Sequence, residues 1–245
     1  MLTLLALAVA PGAAIATYVY SRDKYDREPL KPLLISFLLG AVATAPAILI
    51  ESALKPILYL KFYSYSIWYN FLLAFVVIGF SEEGSKYIML RFYAYRNKAF
   101  NEPFDGIIYS VMVSMGFATL ENIGYVLNYG FQTGLVRMFL SVPSHAAFAV
   151  LMGYHIGVAK FHGTRAVIDM FKGFLLAVFF HGAFDFFLLL KESAQMKQYV
   201  WSGSLLAGSL VAYWFAIRMS LRSIRLHETL SKQNFSPKNN SVTEV

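Results

Sequence analysis

The chain has 245 residues, of which 58% are hydrophobic and only 14% charged, with a mean hydropathy of +0.54. A soluble domain carries about 25% charged residues, so this composition excludes a water-soluble globular protein and predicts an all-α, polytopic membrane helix bundle. The absence of Cys excludes disulfides and thiolate nucleophiles, and the formal charge of +7 fits cytoplasmic loops rather than a nucleic-acid partner, so no nucleic acid is expected.

Seven spans are predicted in chain order: Leu2–Tyr20, Leu33–Leu54, Ile67–Leu90, Phe104–Tyr129, Leu135–Phe161, Met170–Leu190 and Tyr199–Leu221. The first lacks a basic leader and reads as a retained span, not a signal peptide. Residues 1–221 then form one transmembrane domain, and the basic tail 222–245 reads as disordered. Alternate connections divide the Lys and Arg residues 15 to 5, and the remaining basic residue, Lys86, lies inside span three. The richer set includes Arg22, Lys24, Arg96, Lys160, Arg222 and Lys238; the poorer set is Lys55, Lys61, Arg137, Lys191 and Lys197. The positive-inside rule places the N-terminus outside and the C-terminus in the cytoplasm.

Several ionisable residues fall inside these spans. Span three carries Glu82-Glu83-x-x-Lys86, span four Phe117-x-x-x-Glu121-Asn122, span five Ser144-His145, and span six His181-x-x-x-Asp185. A charge at mid-bilayer costs ~2.5–3.5 kcal/mol on insertion scales, so such residues mark function by default. Each also has a plain reading. Glu82 or Glu83 could only neutralise Lys86, Glu121 could be interhelical glue, and a lone His145 could be the same. Adjacent Glu82 and Glu83 point ~100° apart, so at most one is expected to aim at a shared centre. His181 and Asp185 share one helix face, where the carboxylate can fix the imidazole tautomer. Pro143 is placed to kink span five just before His145.

Other polar residues carry less. Asp105 reads as the N-cap of span four, His155 and His162 as interfacial, and Glu51 as near water. Ala149-x-x-x-Gly153-x-x-x-Gly157 reads as a packing ridge. Tyr18, Tyr20, Tyr63, Tyr65, Trp68 and Trp201 read as interfacial belts.

Taken in order, Glu82-Glu83-x-x-Lys86, Phe104-Asp105-Gly106 with Tyr109, Gly116-Phe117 through Glu121-Asn122, Ser144-His145 and His181-x-x-x-Asp185 resemble the PrsW family of bacterial intramembrane proteases. That family is distantly similar to the CAAX-processing and bacteriocin-processing membrane proteases. In the wider superfamily the paired glutamates precede Arg and the second motif ends in His. Here Lys86 and Glu121 stand instead, which fits PrsW and sets CAAX-type substrates aside. The resemblance implies a multi-pass protein of the bacterial inner membrane. Its substrate would be a membrane-anchored, single-span protein, and the reaction site-1 cleavage of an anti-sigma factor under envelope stress.

The chemistry can be read from the residues themselves. Peptide hydrolysis needs an activated water, a proton for the leaving amine and a stabilised oxyanion. Ser144 beside His145 is no serine nucleophile, because neighbouring helical residues diverge and no local acid orients that His. Water activated by Glu82 or Glu83 is the reading favoured, with His145 and His181 binding the water or oxyanion and Glu121 completing the cluster. Lys86, Asn122 and Asp185 support them. The cofactor is either none or Zn²⁺; if a metal is held, His145, His181 and Glu121 are the candidate ligands. A proton-coupled transporter using the same acids and a haem protein with His145 and His181 as axial ligands are the alternatives.

Overall fold

Backbone inside lipid must satisfy its own N–H and C=O groups, and these apolar runs do so as helices; no strand occurs among the described residues. The structure is a computed structural model describing residues 1–62, 66–161, 163–192 and 201–235. The expectations for Tyr63, Tyr65, His162 and the start of span seven at Tyr199 lie outside those residues.

The helices are α1 (Leu2–Arg22), α2 (Leu30–Lys61), α3 (Ile67–Leu72), a π-helical segment (Leu73–Gly79), α4 (Phe80–Phe92), α5 (Pro103–Phe139), α6 (Ser141–Phe161), α7 (Ala166–Glu192) and α8 (Ser202–Phe235). Among the described residues, five stretches are long and apolar enough to cross a membrane: Leu2–Arg22, Leu30–Lys61, Pro103–Phe161, Gly163–Lys191 and Ser202–Gln233. The third of these contains both α5 and α6. The continuous helical run from Ile67 to Phe92 is not among the five; it is split by the π-helical segment and carries Glu82, Glu83 and Lys86.

Helix α5 is the axis of the bundle. Phe104 through Thr119 are buried without interruption, as a helix apolar on every side should be. It packs on α1, α2 and α6. Glu102 caps it and Pro103 fixes its first turn, with Glu102 and Asp105 forming a reciprocal capping box. Asp105 is therefore the third helical residue and not the N-cap that the sequence suggests. Its Oδ2 accepts from the backbone N–H groups of Asn101 (2.7 Å) and Glu102 (2.8 Å).

The ridge on α6 is a packing surface. A Cβ on Gly157 would lie 2.0 Å from the Pro103 carbonyl oxygen, and one on Gly153 2.3 Å from that of Gly106. The break expected at Pro143 falls at Leu140 instead. Pro143 sits in the first turn of α6, where its missing N–H costs no helical hydrogen bond, and residues 135–139 belong to α5.

Helix α8 corrects a further expectation, because it continues to Phe235, so that residues 222–235 of the tail expected to be disordered are helical. The reason is a stripe that average composition hides. Ile224, His227 and Ser231 are buried on one face. His227 stacks on Tyr154 with centroids 4.4 Å apart, and Ser231 Oγ donates to Glu102 Oε1 at 2.8 Å. Glu228 pairs with Arg22 (3.4 Å) and Lys24 (3.7 Å).

At this end of the bundle Asp23, Glu28, Glu102 and Asp105 are all buried, and none has a Lys or Arg ion-pair partner among the described residues. Tyr109 Oη donates to Glu28, and the Glu28 N–H donates to Asp23 Oδ2. Burial pushes the Asp23 carboxyl up to about 6 and that of Glu102 up to about 7, and raises Glu28 as well. A raised carboxyl keeps its proton in the folded chain at pH values where the unfolded chain, near ~4, has lost it. Its contribution is complete at low pH and is lost as pH rises through about 6 to 7. Thermal unfolding of the detergent-solubilised protein should therefore shift down by a few degrees between roughly pH 5 and pH 8. Glu102→Gln should flatten that slope; an unchanged slope would place the titrating groups elsewhere.

Candidate active site

The π-helical segment ends two residues before Ser81-Glu82-Glu83, and such segments concentrate at functional positions. Its Gly79 lies against α7, where an added Cβ would meet the Val178 carbonyl at 3.3 Å and the Gly182 N at 3.4 Å. This close approach sets the glutamates of α4 beside His181 of α7. Helices α5 and α6, packed along their small-residue ridge, deliver Glu121 and His145 to the same depth.

Lys86 Nζ is the hub. It donates to Glu83 Oε1 (2.8 Å), Glu82 Oε2 (3.2 Å) and His145 Nδ1 (3.0 Å), and lies 4.0 Å above the Phe117 ring. Charge pairing with Lys86 is thus real, but it does not exhaust the carboxylates. Glu83 Oε1 also meets His181 Nδ1 at 2.8 Å, and Glu82 Oε2 lies 3.9 Å from His181 Nε2. Both glutamates reach one centre, against the expectation that only one would. Their side chains are long enough to bend the ~100° divergence of their Cα–Cβ bonds back onto a single ammonium.

The tautomer of His145 follows from its partners. An ammonium offers only donors, so Nδ1 accepts and the ring proton sits on Nε2. From there it donates to Glu121 Oε2 at 3.0 Å. The His145 and His181 rings stand 5.2 Å apart and nearly perpendicular, and Phe148 stacks on His181 at 5.2 Å. Every nitrogen of both rings is already within reach of a group in the cluster, which leaves no gap for a porphyrin plane between them. Asp185 Oδ2 lies 3.4 Å from His181 Nε2.

Ligand atoms of Glu82, Glu83, His145 and His181 lie within 4.8 Å of one another, and all four residues are buried. Two imidazoles with carboxylates form a zinc-type donor set, so these residue types fit a divalent cation, which would displace Lys86 Nζ from its contacts with Glu82, Glu83 and His145 Nδ1. Glu121, one of the ligands expected from the sequence, is not in that group; it holds the opposite nitrogen of His145.

A cavity of about 450 Å³ opens onto the cluster. Glu82, Glu121, His145, His181 and Asp185 line it, and Glu83 and Lys86 do not. Ser144 also lines it; the hydroxyl is buried with no hydrogen-bond partner among the described residues. Glu51, paired with Lys55 at 2.7 Å, lies on its rim.

Sequence reasoning missed one member of the site. Arg137, counted among external loop residues, lines the cavity, with Nη2 2.8 Å from Glu121 Oε2 and Nε donating to Asn122 Oδ1 at 3.0 Å. The only sequence signal was Gly130 within an apolar helical run. That glycine has φ +82°, a conformation L side chains rarely adopt, and there the chain turns so that residue 137 comes back over residues 121 and 122.

Comparison with known proteins converges on one family. Residues 28–217 match the family described as PrsW family intramembrane metalloprotease. A protein named Protease PrsW from Geobacillus kaustophilus is 37% identical over 89% of this chain and 91% of its own length. Proteins of the same name from Bacillus subtilis and Clostridioides difficile are 32% and 35% identical. They cover 91% and 96% of this chain, and 96% and 95% of their own lengths. No solved structure matches the chain.

Proposed function

The chain belongs to the PrsW family of intramembrane metalloproteases, and from that membership we propose that Glu82, Glu83, His145 and His181 hydrolyse a peptide bond in a single-span membrane protein. The observation carrying this reading is the convergence of two carboxylates and two imidazoles at one buried point beside a cavity.

Glu82 faces the cavity and is the base: it takes a proton from water as the water oxygen attacks the scissile carbonyl, then returns it to the leaving amine nitrogen. Glu83 does not line the cavity; pinned by Lys86 and His181, it keeps the His181 ring in place. His181 and His145 flank the reacting carbon and stabilise the water or the oxyanion. Glu121 orients His145, and Asp185 orients His181. A bound divalent cation, held by Glu82, Glu83, His145 and His181, would act as a Lewis acid and increase the acidity of bound water.

The substrate proposed is a membrane-anchored anti-sigma factor, cut at site 1. Co-expression with candidate single-span proteins should give a truncated product that is absent with Glu82→Gln. Intact substrates throughout would remove that substrate class. The proposed arrangement is seven crossings with a cytoplasmic C-terminus in a bacterial inner membrane. A reporter fused after Lys238 should be cytoplasmic and one near Lys61 external; a tail labelled from outside would invert it.

A further inference from the structure

We propose that Arg137 is a positioning residue of this protease, holding Glu121 so that Glu121 fixes the orientation and tautomer of His145. The inference rests on the reading of the cluster given above and deepens it. Four contacts carry it. The guanidinium reaches Glu121 Oε2 at 2.8 Å, its Nε donates to Asn122 Oδ1 at 3.0 Å, and its carbon lies 3.9 Å above the Tyr125 ring. Asn122, fully buried, donates through Nδ2 to the Ala8 carbonyl at 3.0 Å, which ties the assembly to α1. Arg137 therefore stands in a rigid frame made of α1, α5 and the segment after Gly130.

A planar guanidinium suits this task better than an ammonium, because its Nε and Nη2 edges meet two different residues. Arg presents fixed donors on several edges, so it can hold Asn122 and Glu121 at once while stacking on Tyr125. The held carboxylate then presents Oε2 to His145 Nε2–H, which leaves Nδ1 as the acceptor turned toward Lys86, Glu82 and Glu83. Without Arg137, Glu121 keeps the neutral His145 ring as its close hydrogen-bond partner among the described residues. It is then free to rotate, and His145 loses the fixed acceptor that sets its proton on Nε2. Gly130 serves the same end, because its left-handed backbone is what returns residue 137 to residue 121.

The test uses purified full-length Arg137→Gln, Arg137→Lys and Arg137→Ala with a cleavable single-span substrate. Expected is a fall in kcat of about 10–100-fold in Arg137→Gln with KM little changed, as for loss of an orienting partner. Arg137→Lys should recover part of it, and added guanidinium should raise kcat of Arg137→Ala. A second readout needs no activity. In ¹⁵N-histidine-labelled protein, the His145 resonance, assigned with His145→Ala, should report the Nε2–H tautomer in the native chain and a tautomer mixture in Arg137→Gln. Unchanged kcat together with an unchanged His145 signal would overturn the proposal. So would a loss confined to KM, which would make Arg137 a substrate contact. Absence of cleavage by the native chain would overturn the protease reading instead, while the His145 signal still decides the role of Arg137.

Discussion

Glu82→Gln is expected to lower proteolysis by ~10²–10⁴-fold while the protein still inserts and accumulates. Gln keeps the shape of the side chain and an oxygen for Lys86 Nζ, now 3.2 Å from Glu82 Oε2, but cannot take a proton from water. Glu83→Gln should also be severely impaired, for a different reason. Glu83 is absent from the cavity lining and bridges Lys86 and His181 at 2.8 Å each, so its loss frees the His181 ring. The two variants should separate when assayed for folding. Removing a buried carboxylate that holds two cationic or donor groups disturbs packing more than removing one that faces a cavity. Wild-type cleavage rates in both variants would reduce this pair to charge neutralisation of Lys86.

His181→Ala is expected to abolish activity, and Asp185→Asn to lower it by roughly 10–100-fold. His181 contacts Glu83, lies beside Glu82 and stands 5.2 Å from the His145 ring, so its removal empties the middle of the cluster. Asp185 touches only the outer nitrogen, at 3.4 Å, and Asn retains a hydrogen-bonding partner there. His145→Ala should match His181→Ala, since both rings face the same group of four. Kinetics on purified variants, with expression checked for each, measure the order. A more damaging Asp185→Asn would move Asp185 into direct contact with the reaction, and a fully active His181→Ala would contradict the cluster as the site of chemistry.

The helical class and the residues of the cluster were legible because lipid makes buried charge conspicuous. Glu82, Glu83, Glu121, His145, His181 and Asp185 stand out in apolar runs, and the structure brings all of them to one region. Their placement relative to the cavity was not legible. Which glutamate faces the cavity depends on side-chain bends and on the π-helical segment, and neither leaves a periodic trace in sequence. Glu121 reads as a ligand by residue type but sits behind His145, a matter of which ring nitrogen it meets. Arg137 was hidden by distance along the chain: fifteen residues from Asn122 on the same helix, it becomes a neighbour only through the turn at Gly130. The helical tail was hidden by its polar composition, within which Ile224, His227 and Ser231 form a narrow buried stripe.

The most direct measurement is proteolysis by the purified chain in proteoliposomes containing one candidate single-span substrate, read by mass spectrometry of the fragments. Two fragments are expected whose masses sum to that of the substrate plus one water, with none from the Glu82→Gln, His181→Ala double variant. Fragments formed equally by the double variant would contradict the cluster as the site of chemistry.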